Sequence, residues 1–452
     1  MSKQDNGKNI SRRKAFSSAA MALAAAGVAP SIAIGRTGVA GANDAVNVGV
    51  IGTGKMGRSN MRAFAREDGV RIAAVCDVYR PNLQLALDAL KEADKPAPKT
   101  MIDFRKMLDM KEIDIVIAAS PDHWHPAHTV MACRAGKDVY VEKPVSVVVE
   151  EGRIMTNVAR ETGRIVGVGT QQRSGEHFQR AVEIVRSGKL GRITKVSTWN
   201  YENEYPEGIG YPADCAPPDD LDWDLWLGPA QKVPFNWNKF GVVDDGRWSS
   251  FRWFWDYAGG MMTDWGTHLL DIVLWAMDVK GPKSISACGG KYGLLDNRDT
   301  PDTMTAIWDF GKFLCTYENR KCSRHSADGR GYGIIFHGSD ASLFVDRNGY
   351  ALEPEMESVG SENRPRMTPA TSGGSEQHQT HVKSYLECVK TRKRFISDIE
   401  DGHLASATPH LANVAMRLGR TLQYDPDKEQ FVGDSEANAM LRRQYRAPWT
   451  LS

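Results

Sequence analysis

The chain has no cysteine pair spaced C-x-x-C. Its seven cysteines are scattered singly along 452 residues. An odd, dispersed set excludes a disulfide framework and gives no zinc-site spacing. It fits a protein that folds in a reducing compartment. Charge of one sign is also lacking. The net charge of +1 gives no electrostatic reason to expect nucleic acid or an acidic membrane as partner. No apolar run is long enough to span a bilayer, and no internal repeat is visible. What remains is ordinary for a globular protein, with 41% hydrophobic and 25% charged residues. The length suits two or three domains.

The N-terminus departs from this texture. "SRRKAF" (Ser11 to Phe16) carries paired arginines, an alanine-rich run follows, and Ala40-Gly41-Ala42 offers a small-residue cleavage site. This order is that of a secretory signal, and the arginine pair suggests the twin-arginine route. Residues 1–42 are therefore expected to be a signal peptide, with a mature, exported (periplasmic) protein starting near Asn43.

Residues 43–168 alternate short β-branched runs with helical periods: "VNVGVIG", "VRIAAVCD", "IDIVIAAS", "KDVYVEKP" and "RIVGVGT" as strands, with helices between them. This alternation predicts a doubly wound parallel sheet, an α/β domain. Residues 169–452 read differently. "RITKVSTWNYE", "KSISACGGKYG" and "GYGIIFHGSDASLFVDRNGYAL" suit an α+β domain with an open, mostly antiparallel sheet and helices. "TMTAIWDFGKFLCTYE" reads as a hairpin turning at Gly311-Lys312. The polar stretch from Met356 to Thr380 reads as a long surface loop.

Within the first domain, Gly52-Thr53-Gly54-Lys55-Met56-Gly57 fits G-x-G-x-x-G. It follows a strand and opens a helix, and Asp77 stands about 20 residues further on at the end of the second strand. Gly52 permits the tight turn, Gly54 lets the backbone approach a pyrophosphate, and Gly57 lets the helix pack closely. The free N–H groups of the helix start would take the phosphates. A carboxylate at Asp77 suits ribose hydroxyls and repels a 2′-phosphate, so NAD is expected in preference to NADP. Arg80, three residues on, could reach such a phosphate.

Two further stretches carry chemistry. "AASPDHWHPAHTVMACRAGKDVYVEKP" ends in Glu142-Lys143-Pro144 at the carboxyl end of a strand, the edge where ligands bind in such sheets. "GGMMTDWGTHLLD" places Asp264 and His268 at i and i+4, on one face of a helix. With these residues the chain resembles the Gfo/Idh/MocA oxidoreductases (glucose–fructose oxidoreductase, inositol dehydrogenase and their relatives) over essentially the whole mature chain. "PDHWHP", "GTQQRS" and "WDLWLG" are similar to a twin-arginine-exported subgroup. The resemblance implies a Rossmann domain followed by an open-sheet substrate domain. It also implies that Lys143, Asp264 and His268 contact the reacting sugar hydroxyl and its neighbours.

The residue types suit that task. Oxidising a secondary alcohol needs the hydroxyl proton removed. His268 is the expected base, and Lys143 stabilises the oxygen's developing charge. The reverse assignment stays open, because a desolvated lysine can also act as base. Asp264 holds the substrate or orients the base. Besides the glycine turn and Asp77, cofactor contacts are expected from Ser120, Pro121, His125, Glu142 and Lys143. Asp122, His123, Gln171, Arg173 and Trp265 are expected on the substrate. His123, His125 and His128 share no single ligand face, so no metal is expected. Eight tryptophans crowd residues 223–275. Their faces suit sugar rings, but most are expected to fill a core or interface.

An exported protein meets no expected supply of NAD. Two activities escape that problem: a sugar or glycoside oxidoreductase that keeps its cofactor bound, oxidising one sugar and reducing another compound, and a redox-neutral glycosidase that oxidises, eliminates, adds water and re-reduces. A sugar-binding protein without turnover is the third reading. The partner expected besides a small sugar or glycoside is a second copy of the chain, through an uncovered sheet face.

Overall fold

Five of the six strands of the first sheet come from the expected apolar runs. The computed structural model describes residues 45–241, 249–326 and 329–451; the expected signal segment and Trp248 lie outside them. The strands are β1 (Val46–Ile51), β2 (Val70–Cys76), β3 (Lys99–Met101), β4 (Ile115–Ala118), β5 (Asp138–Val141) and β6 (Val166–Val168). They are parallel and run in the order β3-β2-β1-β4-β5-β6. This is a Rossmann sheet, with its topological switch between β1 and β4. Alternate residues feed opposite cores. Val48, Val50, Ile115 and Ile117 pack on one face, and Val116, Ala118, Val139 and Val141 on the other. Burial on both faces is why the runs are continuously apolar. β3 is not legible in the sequence: it is three residues long, polar and exposed at the sheet edge.

The later strands are β7 (Lys195–Tyr201), β8 (Ser284–Gly290), β9 (Thr303–Asp309), β10 (Leu314–Arg320), β11 (Tyr332–His337), β12 (Ala341–Asp346), β13 (Gly349–Pro354), β14 (Met356–Val359), β15 (Glu362–Pro365), β16 (Ala370–Gly373), β17 (Leu422–Asp425) and β18 (Gln430–Phe431). Ten of them form one sheet, β16-β13-β12-β11-β7-β10-β9-β8-β17-β18. Its pairs are antiparallel except β7 with β10. The β9–β10 hairpin turns at Gly311-Lys312 as expected, with Gly311 at φ +78°. The stretch expected as a loop is corrected. Met356 to Thr380 holds the hairpin β14–β15, the edge strand β16, and the start of the helix His378–Thr391. Gly360, at φ +66°, opens that hairpin turn. The flanking side chains are exposed, so no apolar period announces the strands.

One face of the large sheet carries the second core. Trp308, Tyr317, Ile334, Phe336 and Leu343 pack there against the helix Gly266–Met277. On the other face Thr305, Ile307, Leu314 and Glu318 are exposed. The C-terminal part of the chain returns to the Rossmann sheet. Val382, Tyr385, Leu386 and Phe395 join the core around Val48 and Val50. No helix of the described residues is long and apolar enough to cross a membrane.

Candidate active site

A cleft of about 600 Å³ opens along the carboxyl ends of β1, β2, β4 and β5. Its Rossmann side is the glycine turn. Gly52 sits at φ +84°, and a Cβ there would lie 2.6 Å from Ser120 N. A Cβ on Gly57 would lie 1.8 Å from Gly52 O, so the helix Lys55–Ala65 packs hard on the strand end. A Cβ on Gly54 would meet nothing within 4 Å. No side chain caps the helix start, so its N–H groups face the open cradle. Asp77 closes the far end. Its carboxylate accepts from Thr53 N (2.7 Å), Thr53 Oγ1 (3.1 Å), Asn82 Nδ2 (3.3 Å) and Tyr79 N (2.9 Å). Burial raises Asp77, and these donors oppose the rise. Room over Gly54, unclaimed N–H groups and a fixed carboxylate fit a dinucleotide. Gly52, Gly54, Lys55, Met56, Asp77, Ser120 and Pro121 line the cleft. Thr53 and Gly57 do not; they act from beneath, through Asp77 and the helix packing.

The chemistry-bearing residues meet at the other side. Lys143 follows β5, and its Nζ donates to Asp264 Oδ1 (2.7 Å) and Asp264 O (2.9 Å). Arg252 Nε donates to the same Oδ1 at 3.1 Å. Burial opposes ionisation of Asp264, but Lys143 and Arg252 outweigh it and hold the carboxyl well below the usual range. The expected single helix is corrected here. Gly260–Asp264 and Gly266–Met277 are two helices that meet at Trp265. Trp265 keeps helical angles (φ −92°, ψ −35°), so Asp264 and His268 still line one cleft. His268 is buried, and its Nδ1 has no hydrogen-bond partner among the described residues. Burial, then the charges of Lys143 and Arg347, hold the imidazole far below its ordinary value, so it is neutral.

Asp122 lines the same cleft at 4% exposure. Burial pushes its carboxyl up to about 7, although Arg252 and Lys143 pull the other way. Glu142 is buried behind Lys143 and accepts from Asn60 Nδ2 (2.9 Å) and Gln171 Nε2 (3.3 Å). Asn60 Oδ1 in turn meets His378 Nε2 at 2.8 Å. His125 lays its two ring nitrogens against Pro144 O (2.7 Å) and Ser120 O (2.8 Å). It thereby pins the end of β4 to the E-K-P turn.

Two expected substrate residues are elsewhere. His123 is turned into an aromatic cluster, with Nε2 against Trp226 O at 3.0 Å and its ring near Tyr257. Arg173 forms a buried ion pair with Asp271 (2.7 Å) and lies over Trp275. Each looked available in the sequence because its partner is about 100 residues away. His128 stacks on Trp124 and meets Ser120 Oγ through Nδ1, so Ser120 is held by both His125 and His128 while His123 faces Trp226 O. Of the tryptophans, Trp226 and Trp265 line the cleft, while Trp223 stacks on Trp226 and Trp253 lies under Arg298. Sequence reasoning missed Arg252, Arg347, Asn60 and His378. No local motif marks them, and they come from four separate segments.

Fold and cradle define an NAD-binding Rossmann oxidoreductase. Residues 46–170 match the model of an oxidoreductase family with an NAD-binding Rossmann fold. Residues 179–288 and 371–451 match that family's C-terminal alpha/beta domain. The chain therefore belongs to the Gfo/Idh/MocA oxidoreductase family, and its cofactor is NAD. It is 29% identical over 181 residues to a glycosyl hydrolase family 109 protein of Shewanella baltica (strain OS185), covering 38% of this chain and 39% of that one. A second such protein, from Shewanella sp. (strain ANA-3), is 27% identical over 176 residues. The chain thus spans under two-fifths of the length of the curated relatives it matches. Among solved structures it is similar in fold to the WlbA dehydrogenase of Bordetella pertussis in complex with NADH and UDP-GlcNAcA. There the TM-score is 0.62 at 17% identity, over 84% of this chain and 99% of the other. The aldose-aldose oxidoreductase of Caulobacter crescentus gives 0.61 at 18%, with the same coverage.

Proposed function

We propose that this protein oxidises a secondary hydroxyl of a sugar or glycoside with an NAD that it keeps bound. The observation that carries the reading is the convergence of Lys143, Asp264 and His268 in one cleft beside a dinucleotide cradle. The bound nicotinamide would act as hydride acceptor and donor. Gly52, Gly54, Lys55, Met56, Asp77, Ser120 and Pro121 would hold the cofactor. On the substrate, neutral His268 accepts the hydroxyl proton. Lys143, fixed by Asp264, donates to the same oxygen and balances its growing negative charge. Asp264 is itself held by Arg252, so the lysine has one orientation. The test is purified protein, dialysed exhaustively and mixed with a panel of sugars and glycosides. A rise in absorbance at 340 nm from bound cofactor supports the reading. Silence across the panel with stoichiometric NAD would defeat it.

A second reading is glycoside cleavage with no net redox change. It is favoured by the glycosyl hydrolase name of the curated relatives and by Asp122, a carboxyl poised near neutrality beside Lys143. Release of aglycone without accumulated NADH would select it. We further propose twin-arginine export with cleavage near Asn43, read from the sequence and checked by intact mass of periplasmic protein. We also propose self-association through the exposed face around Ile307 and Leu314, checked by light scattering.

A further inference from the structure

Arg347 brings a positive charge to the substrate side of the cleft. It stands in the turn between β12 and β13 and lines the cleft with His268, Lys143 and Asp264. Arg347 is half-buried, whereas the two fully buried arginines among the described residues each have a carboxylate: Arg173 has Asp271 and Arg298 has Asp296. Arg347 has no ion pair among the described residues. Burial pushes its guanidinium down, and Asp264 acts on it only through space. Asp264 Oδ1 is already engaged by Lys143 and Arg252. Asp122 is only partly ionised near neutrality, so it offers little compensation. The cleft thus brings Lys143, Arg252 and Arg347 together; Asp264 is taken by the first two, and the carboxylate of Glu376, which also lines the cleft, accepts from Gln379 N and Thr380 N. A partly desolvated guanidinium without a counter-ion is stabilised by a bound anion.

The geometry also fixes how the anion would be met. The guanidinium carbon of Arg347 lies 4.8 Å over the Trp265 ring. The ring steadies the guanidinium by a cation–π contact, and its N–H groups, in no ion pair among the described residues, suit a two-pronged acceptor. The cofactor phosphates have their own cradle at the glycine turn, on the Rossmann side, whereas Arg347 comes from the other domain.

We propose that the substrate of this cleft is an anionic sugar, carrying one carboxylate or one sulfate ester, and that Arg347 takes that group. The inference rests on the reading of the cleft as a sugar site. The experiment is calorimetric titration of the NAD-retaining protein with matched hexoses. Each set has the neutral sugar, its 6-carboxylate and its 6-sulfate, in the gluco, galacto and manno series. The anionic member of at least one set should bind about tenfold or more tightly than the neutral one. The two anions separate carboxylate from sulfate recognition. Arg347→Gln should abolish that preference with bound NAD and melting temperature unchanged, and Arg347→Lys should keep part of it. Equal binding of neutral and anionic sugars, or a preference untouched by Arg347→Gln, overturns the inference and leaves the sugar reading standing. Loss of NAD from Arg347→Gln would reassign the residue to the cofactor and overturn it too. No binding by any sugar would defeat the sugar reading and the inference together.

Discussion

Lys143 and His268 sit 125 residues apart in the chain and share one cleft, so their roles are separable by substitution. Lys143→Ala and His268→Ala should each lower turnover by roughly 10²–10⁴-fold, the range for lost oxyanion stabilisation or general base catalysis. Neither lies in the glycine cradle, so bound NAD should persist, and stopped-flow absorbance at 340 nm reads the difference. Asp122 makes a second prediction. Its carboxyl is raised from 3.8 to about 7 in the folded protein by burial. The protonated form is therefore favoured by folding. That contribution is whole below about pH 4 and is lost as pH rises towards 7. Relative to Asp122→Asn, the wild type should lose at most about 4 kcal/mol of stability across that window, by urea denaturation at stepped pH. A flat difference between the two would show that the carboxyl is not desolvated as the structure places it. At this scale the sequence already pointed to Lys143, Asp264, His268 and Asp77 because each falls in a motif of fixed spacing. Arg252 and Arg347 fall in none.

Elements set the next level. The start of the helix Lys55–Ala65 packs closely on the strand end at Gly57, under Gly52 O. Gly57→Ala should lift the helix from the strand and abolish NAD retention, measured by acid release and chromatography. Gly54→Ala should fold normally, since its Cβ enters open space, and lose NAD by filling the cradle. Arg173 and Asp271 join the segment after β6 to the helix that carries His268. Breaking this buried pair with Arg173→Met should cost about 3–5 kcal/mol of stability, by leaving Asp271 unpaired. Calorimetric unfolding checks it. Elements with an apolar period were legible: all the central Rossmann strands and the Gly311-Lys312 hairpin. The β14–β15 hairpin was missed although Gly360-Ser361 is the same kind of turn. Its strands pair through backbone alone, and their exposed side chains carry no pattern.

For the whole molecule, retention of the cofactor is the first quantity to measure. Near one NAD per chain after exhaustive dialysis is expected, and an empty protein that binds NAD reversibly would remove the retained-cofactor reading. The sequence by itself marked the glycine cradle, the parallel doubly wound sheet, and the motif positions of Lys143, Asp264 and His268. Those depend on local spacing, on periods of two or 3.6 residues and on glycines that a turn requires. Only the tertiary structure decided which polar residues face the cleft. It turned His123 and Arg173 into buried contacts and brought Arg252 and Arg347 beside Asp264. The reason is physical: a side chain's direction at a turn, and the partner that satisfies its charge, are settled by packing between segments far apart in the chain, and no local period records that.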